Sequence, residues 1–188
     1  IRCDSDHSLA YFNLGSALEA GQTVQLHDER VLDQKQLFVE AIRCNPDNSD
    51  AYVNLGAVLE ANETVQLHDE RVMDDKQLYV EAIRFNPDDC AAYSNLGHRL
   101  AADETVRLHD GRVLDQRQLY VEAIRCDPDV CEAYFMLGLA LRPFGMVTLH
   151  DGRQLGSKQL FVEAIRCDGS PASLVALAIT LSPDETAT

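Results

Sequence analysis

The same residues return every 41 positions along this chain. Pro46, Pro87 and Pro128 keep that spacing (87 − 46 and 128 − 87), as do Tyr11, Tyr52, Tyr93 and Tyr134. Leu14, Leu55, Leu96 and Leu137 follow the same period, and so do Gly15, Gly56, Gly97 and Gly138. Repetition on this scale means that each unit is one supersecondary piece that buries its apolar face against its neighbours. The predicted layout over 1–188 is a single array: the end of a preceding repeat at 1–7, then repeats at 8–48, 49–89, 90–130 and 131–169. A capping helix at 170–182 and a tail at 183–188 complete it. Ile1-Arg2-Cys3 lines up with Ile42-Arg43-Cys44, so the sequence is expected to open inside a repeat, as a segment of a longer array or a processed product.

Each unit carries two helical patterns. Tyr52, Leu55, Gly56 and Leu59 fall at i, i+3, i+4 and i+7, one face of a first helix. Start signals cluster at Asp47 and its neighbours after Pro46. A glycine inside a helix costs about 1 kcal/mol relative to alanine, so its return in four copies implies close approach of another helix. The second helix is expected to begin at Asp33-Gln34-Lys35-Gln36, a capping-box pattern in which Asp74 and Asp115 take the same role. Leu37, Phe38, Ala41 and Ile42 form its stripe, and Pro46 follows its stop. In the last copy Leu174, Leu177, Ala178 and Leu181 keep a helical stripe after Asp168-Gly169-Ser170-Pro171. Residues Ala172 to Leu181 therefore suit a cap over the last exposed apolar face, and Ser182 to Thr188 read as a frayed polar tail.

These residues resemble the tetratricopeptide repeat family. That family places a bulky aromatic, a leucine and a glycine on its first helix, as in Tyr52-Val53-Asn54-Leu55-Gly56. Its second helix carries an aromatic, an alanine and a closing proline, matched by Tyr79, Ala82 and Pro87. The resemblance covers nearly the whole chain and implies a mainly α fold, a right-handed solenoid of antiparallel helix pairs. Family repeats run about 34 residues, so each unit here carries roughly seven extra between its helices. The family's small residue early in the second helix is Gln34 in the first copy, where local packing is expected to differ.

The extra residues fall in Thr23 to Leu32 and its copies. Val24, Leu26 and Val31 are expected to share one face of a β-hairpin turning at Asp28-Glu29. Asp110-Gly111 and Asp151-Gly152 strengthen the turn signal, whereas Asp28-Glu29 and Asp69-Glu70 weaken it, since glutamate resists the positive φ such a turn needs. The competing reading prolongs the first helix through Thr23 to Leu26; Pro143 and Gly145 argue against it in the fourth copy. His27, His68, His109 and His150 recur beside Asp28, Asp69, Asp110 and Asp151. Such pairs invite a metal or acid/base role, but both residue types suit turns, and a solenoid spaces equivalent residues apart where catalysis needs one convergent cluster.

Charge narrows the partners. With 31 acidic against 16 basic residues the net charge is −15, a sign that repels phosphate backbones and disfavours nucleic acid. A basic or amphipathic protein segment is easier to accommodate, and the acidity also serves solubility. No apolar run approaches the roughly 18 residues of a membrane span, and no signal peptide is visible, so no membrane insertion is expected. Cys3, Cys44, Cys126 and Cys167 share one repeat position, with Phe85 in the remaining copy, which suggests a buried apolar slot. Reduced thiols then point to an intracellular, cytoplasmic setting. Cys126 and Cys131 lack two further ligands at recognisable spacing, so no metal site is expected.

The resemblance implies that first helices line a concave groove that binds an extended peptide or a partner helix. Carried over residue by residue, that groove includes Phe12, Asn13 and Ser16, then Val53, Asn54 and Ala57, Ser94, Asn95 and His98, and Phe135, Met136 and Leu139. Asn13, Asn54 and Asn95 match an asparagine that family members use to hold a peptide backbone, which an amide can do as donor and acceptor; Met136 breaks the series. One subgroup grips a terminal carboxylate with basic groove residues, but Phe12, Val53 and Ser94 stand at such positions here. An apolar or amphipathic segment fits better, unless these side chains pack against neighbouring helices. The expected function is a non-catalytic protein-interaction scaffold without cofactor. The alternatives are a structural spacer that builds a larger assembly through its hairpins or ends, and a metal-dependent or enzymatic role for the histidine ladder.

Overall fold

A computed structural model describes residues 5–141 and 145–168. The first compact unit, Ile1–Pro87, contains α1 (Ser5–Ala17), β1 (Thr23–Gln25), β2 (Val31–Asp33), α2 (Gln34–Cys44), α3 (Ser49–Val58), β3 (Thr64–Gln66), β4 (Val72–Asp74) and α4 (Asp75–Phe85). The second, Asp88–Thr188, contains α5 (Cys90–Arg99), β5 (Thr105–Arg107), β6 (Val113–Asp115), α6 (Gln116–Cys126), α7 (Cys131–Ala140), β7 (Met146–Thr148), β8 (Gln154–Gly156) and α8 (Ser157–Asp168). In the first unit α1 packs on α2, α2 on α3 and α3 on α4; in the second α5 packs on α6, α6 on α7 and α7 on α8. The expected cap at 170–182 and tail at 183–188 lie outside the described residues.

The capping signals act as expected. Asp33 Oδ1 accepts from the Gln36 backbone N–H at 2.8 Å, and Gln36 Oε1 accepts from the Asp33 N–H at 2.9 Å. Asp74 with Gln77 and Asp115 with Gln118 form the same reciprocal box, satisfying donors that a helix start otherwise leaves open. Asn45 leaves the helical conformation and donates to Ala41 O at 2.9 Å, and Pro46 then offers no N–H to continue. Between these ends Leu37, Phe38, Ala41 and Ile42 are all buried; burial of one such large aliphatic or aromatic side chain stabilises by roughly 1.5–3 kcal/mol.

The repeated glycine makes room for the aromatic ring of the second helix. A Cβ on Gly56 would meet the Tyr79 ring at 3.0 Å, and one on Gly138 would meet the Phe161 ring at 2.6 Å. Side-chain volume is exchanged across the helix pair, so the glycine's propensity cost is offset by ring packing. Gln34, where the family has a small residue, does pack differently: its Nε2 donates to Gly15 O at 3.0 Å and Leu18 O at 3.1 Å. Gln116 does the same to Gly97 O and Leu100 O. The amide thereby satisfies carbonyls at the end of the first helix.

The inserted segment is an antiparallel hairpin in each copy. The first helices end at Ala17, Val58 and Arg99 in the first three copies, which rules out their prolongation through the insert. Thr23 pairs with Asp33, Val24 with Leu32 and Gln25 with Val31. This register corrects the expected inward face. Leu32 lies opposite Val24 and is 8% exposed, whereas Val31 is 55% exposed, because adjacent strand residues point to opposite sides. Leu67, Leu108 and Leu149, the counterparts of Leu26, are buried, and Leu26 itself is half-buried.

The turn is wider than a two-residue one. Leu26 N donates to Arg30 O at 2.8 Å and Glu29 N to Leu26 O at 3.0 Å, enclosing His27-Asp28-Glu29. Glu29 has φ 68° and Glu70 φ 69°, while Gly111 and Gly152 have φ 89° and 84°. Only the third loop residue thus needs the left-handed conformation. Glycine takes it at no steric cost in the later copies, and glutamate is forced into it in the earlier ones.

The cysteine slot is also corrected. Cys126, Cys167 and Phe85 are half-buried, because the slot lies at the end of the second helix and not on its inward stripe. Cys90, Cys126, Cys131 and Cys167 carry thiols, but Cys44 is disulfide-bonded.

Candidate functional site

A polar knot joins hairpin to helices in every copy. In the third, Arg112 donates to Asp110 Oδ2 at 2.6 Å, to the Tyr93 hydroxyl at 3.1 Å and lies 3.1 Å from Glu122 Oε2. Arg30, Arg71 and Arg153 repeat this with Asp28, Tyr11 and Glu40, with Asp69, Tyr52 and Glu81, and with Asp151, Tyr134 and Glu163. A second arginine, three residues after the glutamate, closes the knot: Arg43 on Glu40, Arg84 on Glu81, Arg125 on Glu122 and Arg166 on Glu163. Burial works to raise the Glu40 and Glu122 carboxyls, but the arginines around them win and hold both below the ordinary glutamate value. Planar guanidinium groups suit this, since one fork reaches several acceptors.

The histidine ladder serves the same knot. His68 Nε2 is 3.2 Å from Glu40 Oε1, and His150 Nε2 is 3.0 Å from Glu122 Oε1. His68 and His150 therefore each reach the second helix of the preceding copy within their own unit, an inter-repeat contact and more than the turn role expected of them. Lys35 Nζ adds another in the first unit, 2.6 Å from both Glu63 oxygens. Among the described residues no group of three or more His, Cys, Asp or Glu is placed to hold a metal ion, and no helix is long and apolar enough to cross a membrane.

The residues expected to line a groove divide by exposure. Asn13, Ser16 and Ala57 are exposed, and Asn54 and Asn95 half-buried. Asn54 Nδ2 donates to Asp50 O at 2.8 Å, within its own helix. Val53 and Ser94 are buried at 8% and 5% exposure, leaving little side chain for a partner. Phe12 and Phe135 tilt against Phe38 and Phe161 at 6.0 and 5.8 Å between centroids. His98 Nδ1 is 3.0 Å from Ser94 O, its Nε2 is 3.5 Å from Glu132, and its ring meets Tyr120 edge-on. The hydroxyls of Ser94 and Tyr120 are buried with no hydrogen-bond partner. Met136 and Leu139 line an open cleft of about 420 Å³ with Ala102, Asp103, Gln116, Arg117 and Ala140; Leu139 is 54% exposed.

Residues 37–73 match the family model described as tetratricopeptide repeat. That stretch runs from the second helix of one copy through the first helix of the next and on to β4. Over this stretch the chain is similar to the tetratricopeptide repeat. Among solved structures it is similar to YrrB, a TPR protein with an unusual peptide-binding site, with a TM-score of 0.51 and 20% identity over 92% of this chain and 75% of that one. At that identity the likeness concerns the fold. No curated protein matches the sequence. Within the tetratricopeptide repeat frame the insert is the departure, and the Arg–Asp–Tyr–Glu knot is what fastens it to both helices. These knot residues recur at the same 41-residue period as the core, which is the signal that could have found them.

Proposed function

We propose that this chain is a tetratricopeptide-repeat-like, non-catalytic interaction scaffold that holds an extended or amphipathic segment of a partner along its first helices. In this reading the copies at 8–48, 49–89, 90–130 and 131–169 stack as one right-handed solenoid, capped by 170–182. Phe12, Asn13, Ser16, Asn54, Ala57, Asn95, His98, Phe135, Met136 and Leu139 form the contact face, with Val53 and Ser94 beneath it. The partner is a protein, basic or amphipathic, and neither nucleic acid nor cofactor is needed; the setting is intracellular. The observation that carries the reading is the Met136–Leu139 cleft, where an exposed leucine and a methionine stand beside Arg117 and Asp103. That mixture of apolar wall and charged rim suits an amphipathic segment.

The test is a panel of immobilised basic, acidic and amphipathic peptides probed with the whole chain. Amphipathic peptides should bind best, and Leu139→Asp and Asn95→Ala should each weaken them by about tenfold, with Val72→Asp on the hairpin as the silent control. The assembly alternative has its own support in Val31, Val72 and Val113, which stand exposed on the outer hairpin faces. Loss of self-association or partner capture in Val72→Asp alone would favour it.

A further inference from the structure

Two pairs of cysteines occupy matching places in the second unit. Cys90 opens α5 and Cys126 closes α6; Cys131 opens α7 and Cys167 is the penultimate residue of α8. Each pair is 36 residues apart (126 − 90 and 167 − 131). The packing of α5 on α6 and of α7 on α8 brings the start of one helix to the end of the other. There the Cys131 side chain is a hydrogen-bond partner of Cys167, and Cys90 and Cys126 hold the equivalent positions on α5 and α6. All four are half-buried. Cys131 Sγ also donates to Asp129 O at 3.2 Å, and Arg125 donates to Cys126 Sγ at 3.1 Å. The same two places hold Ser8 with Cys44 in the first copy and Ser49 with Phe85 in the second.

We infer that Cys90 with Cys126, and Cys131 with Cys167, are two modification sites that close into intrarepeat disulfides by exchange with a low-molecular-weight disulfide. One protein thiolate attacks a sulfur of the oxidant, forming a mixed disulfide and releasing one small thiol. The second protein thiolate then attacks the protein sulfur and releases the other. Each pair gives up two electrons and two protons, and the oxidant leaves as two thiols, so the step balances. In a reducing compartment the pairs stay open. Once closed, each bond ties the two helices of its own repeat and restricts a long loop of the unfolded chain.

The surroundings raise Cys90, Cys126 and Cys167 above the ordinary thiol value. Burial pushes the Cys126 thiol up to about 11, with Arg125 opposing and Asp88, Glu122 and Cys90 adding to the rise. Burial, Cys131 and Asp129 likewise lift Cys167 to about 11 against Arg166. Cys90 is raised by burial, Asp127 and Asp89. The thiolate is the attacking species, so the rate rises with pH.

The test exposes the reduced whole chain to oxidised glutathione at neutral and mildly alkaline pH, blocks remaining thiols and maps unreduced peptides. Peptides joining Cys90 to Cys126 and Cys131 to Cys167 are expected, faster at the higher pH, with the melting temperature roughly 5 °C or more above the reduced form. Cys131→Ser puts at this place the residue the first two copies carry and should remove only the second link. Persistent glutathione adducts, links between Cys126 and Cys131 or Cys126 and Cys167, links between chains, or no link although all thiols react after denaturation would each overturn the inference.

Discussion

Gly97 lies so close to Tyr120 that a methyl group on the glycine would stand 2.8 Å from Cε1 of the ring. Alanine in a helix interior ordinarily gains about 1 kcal/mol over glycine. Here the ring is fully buried and has nowhere to retreat, so overpacking of roughly 1–3 kcal/mol outweighs that gain. Gly97→Ala should lower the urea midpoint; a variant as stable as the parent would sink the packing account.

Tyr120 also offers a stabilising change. Its hydroxyl is buried without a partner, and burial first, then Glu132, pushes its ionisation up to about 12. An unsatisfied buried hydroxyl costs about 1–3 kcal/mol, and Phe38 and Phe161 already fill this place in the first and last copies. Tyr120→Phe should therefore raise stability by about 1 kcal/mol. Chemical denaturation reads it directly, and a loss of stability would mean that the hydroxyl is satisfied in solution.

Removal of Arg112 tests the knot. Arg112→Ala strips contacts to Asp110, Tyr93 and Glu122 at once. Arg125 stays on the mostly buried Glu122, so the loss is smaller than for a stranded carboxylate, about 1–2 kcal/mol. Amide exchange should quicken in β5 and β6 before it does in α6. Arg112→Lys should recover little, because a point charge cannot reach three acceptors.

Acid should weaken the molecule in a defined window. Glu40 faces Arg30, Arg43 and His68, and Glu122 faces Arg112, Arg125 and His150. Both carboxyls titrate below their ordinary value of 4.5 when folded, and Asp28, Asp110 and Asp151 shift the same way. Groups depressed by folding contribute stability that is complete above their unfolded value and lost as pH falls through the folded one. The urea midpoint should therefore hold from neutrality to about pH 4.5 and decline below it. Glu40→Gln with Glu122→Gln should flatten that decline while lowering the plateau.

Much of this was legible in the sequence because it is local or strictly periodic. The Asp33 to Gln36 box needs only a three-residue spacing, and Gly56 announced its tight contact by recurring where a helix disfavours it. The hairpin was legible as a hairpin, but not its faces. Whether Val31 or Leu32 points inward depends on register, and a single step reverses the answer. The knot escaped for another reason: Arg71 meets Tyr52 19 residues back and Glu81 10 residues ahead, a meeting that exists only once the hairpin has folded between its helices. The contact face stayed coarse because Val53 and Asn54 differ in burial only through the neighbours packed on their helix.

The Asp115 backbone pairs with Thr105 as the last rung of its hairpin, and its side chain starts the next helix by accepting from the Gln118 N–H. No slack residue separates the two elements, so neither can slide or pivot alone. A ligand that tugs on the hairpin tip has a stiff handle on the second helix. Strain entering at the rim is delivered to the interior of the repeat without being absorbed by a linker.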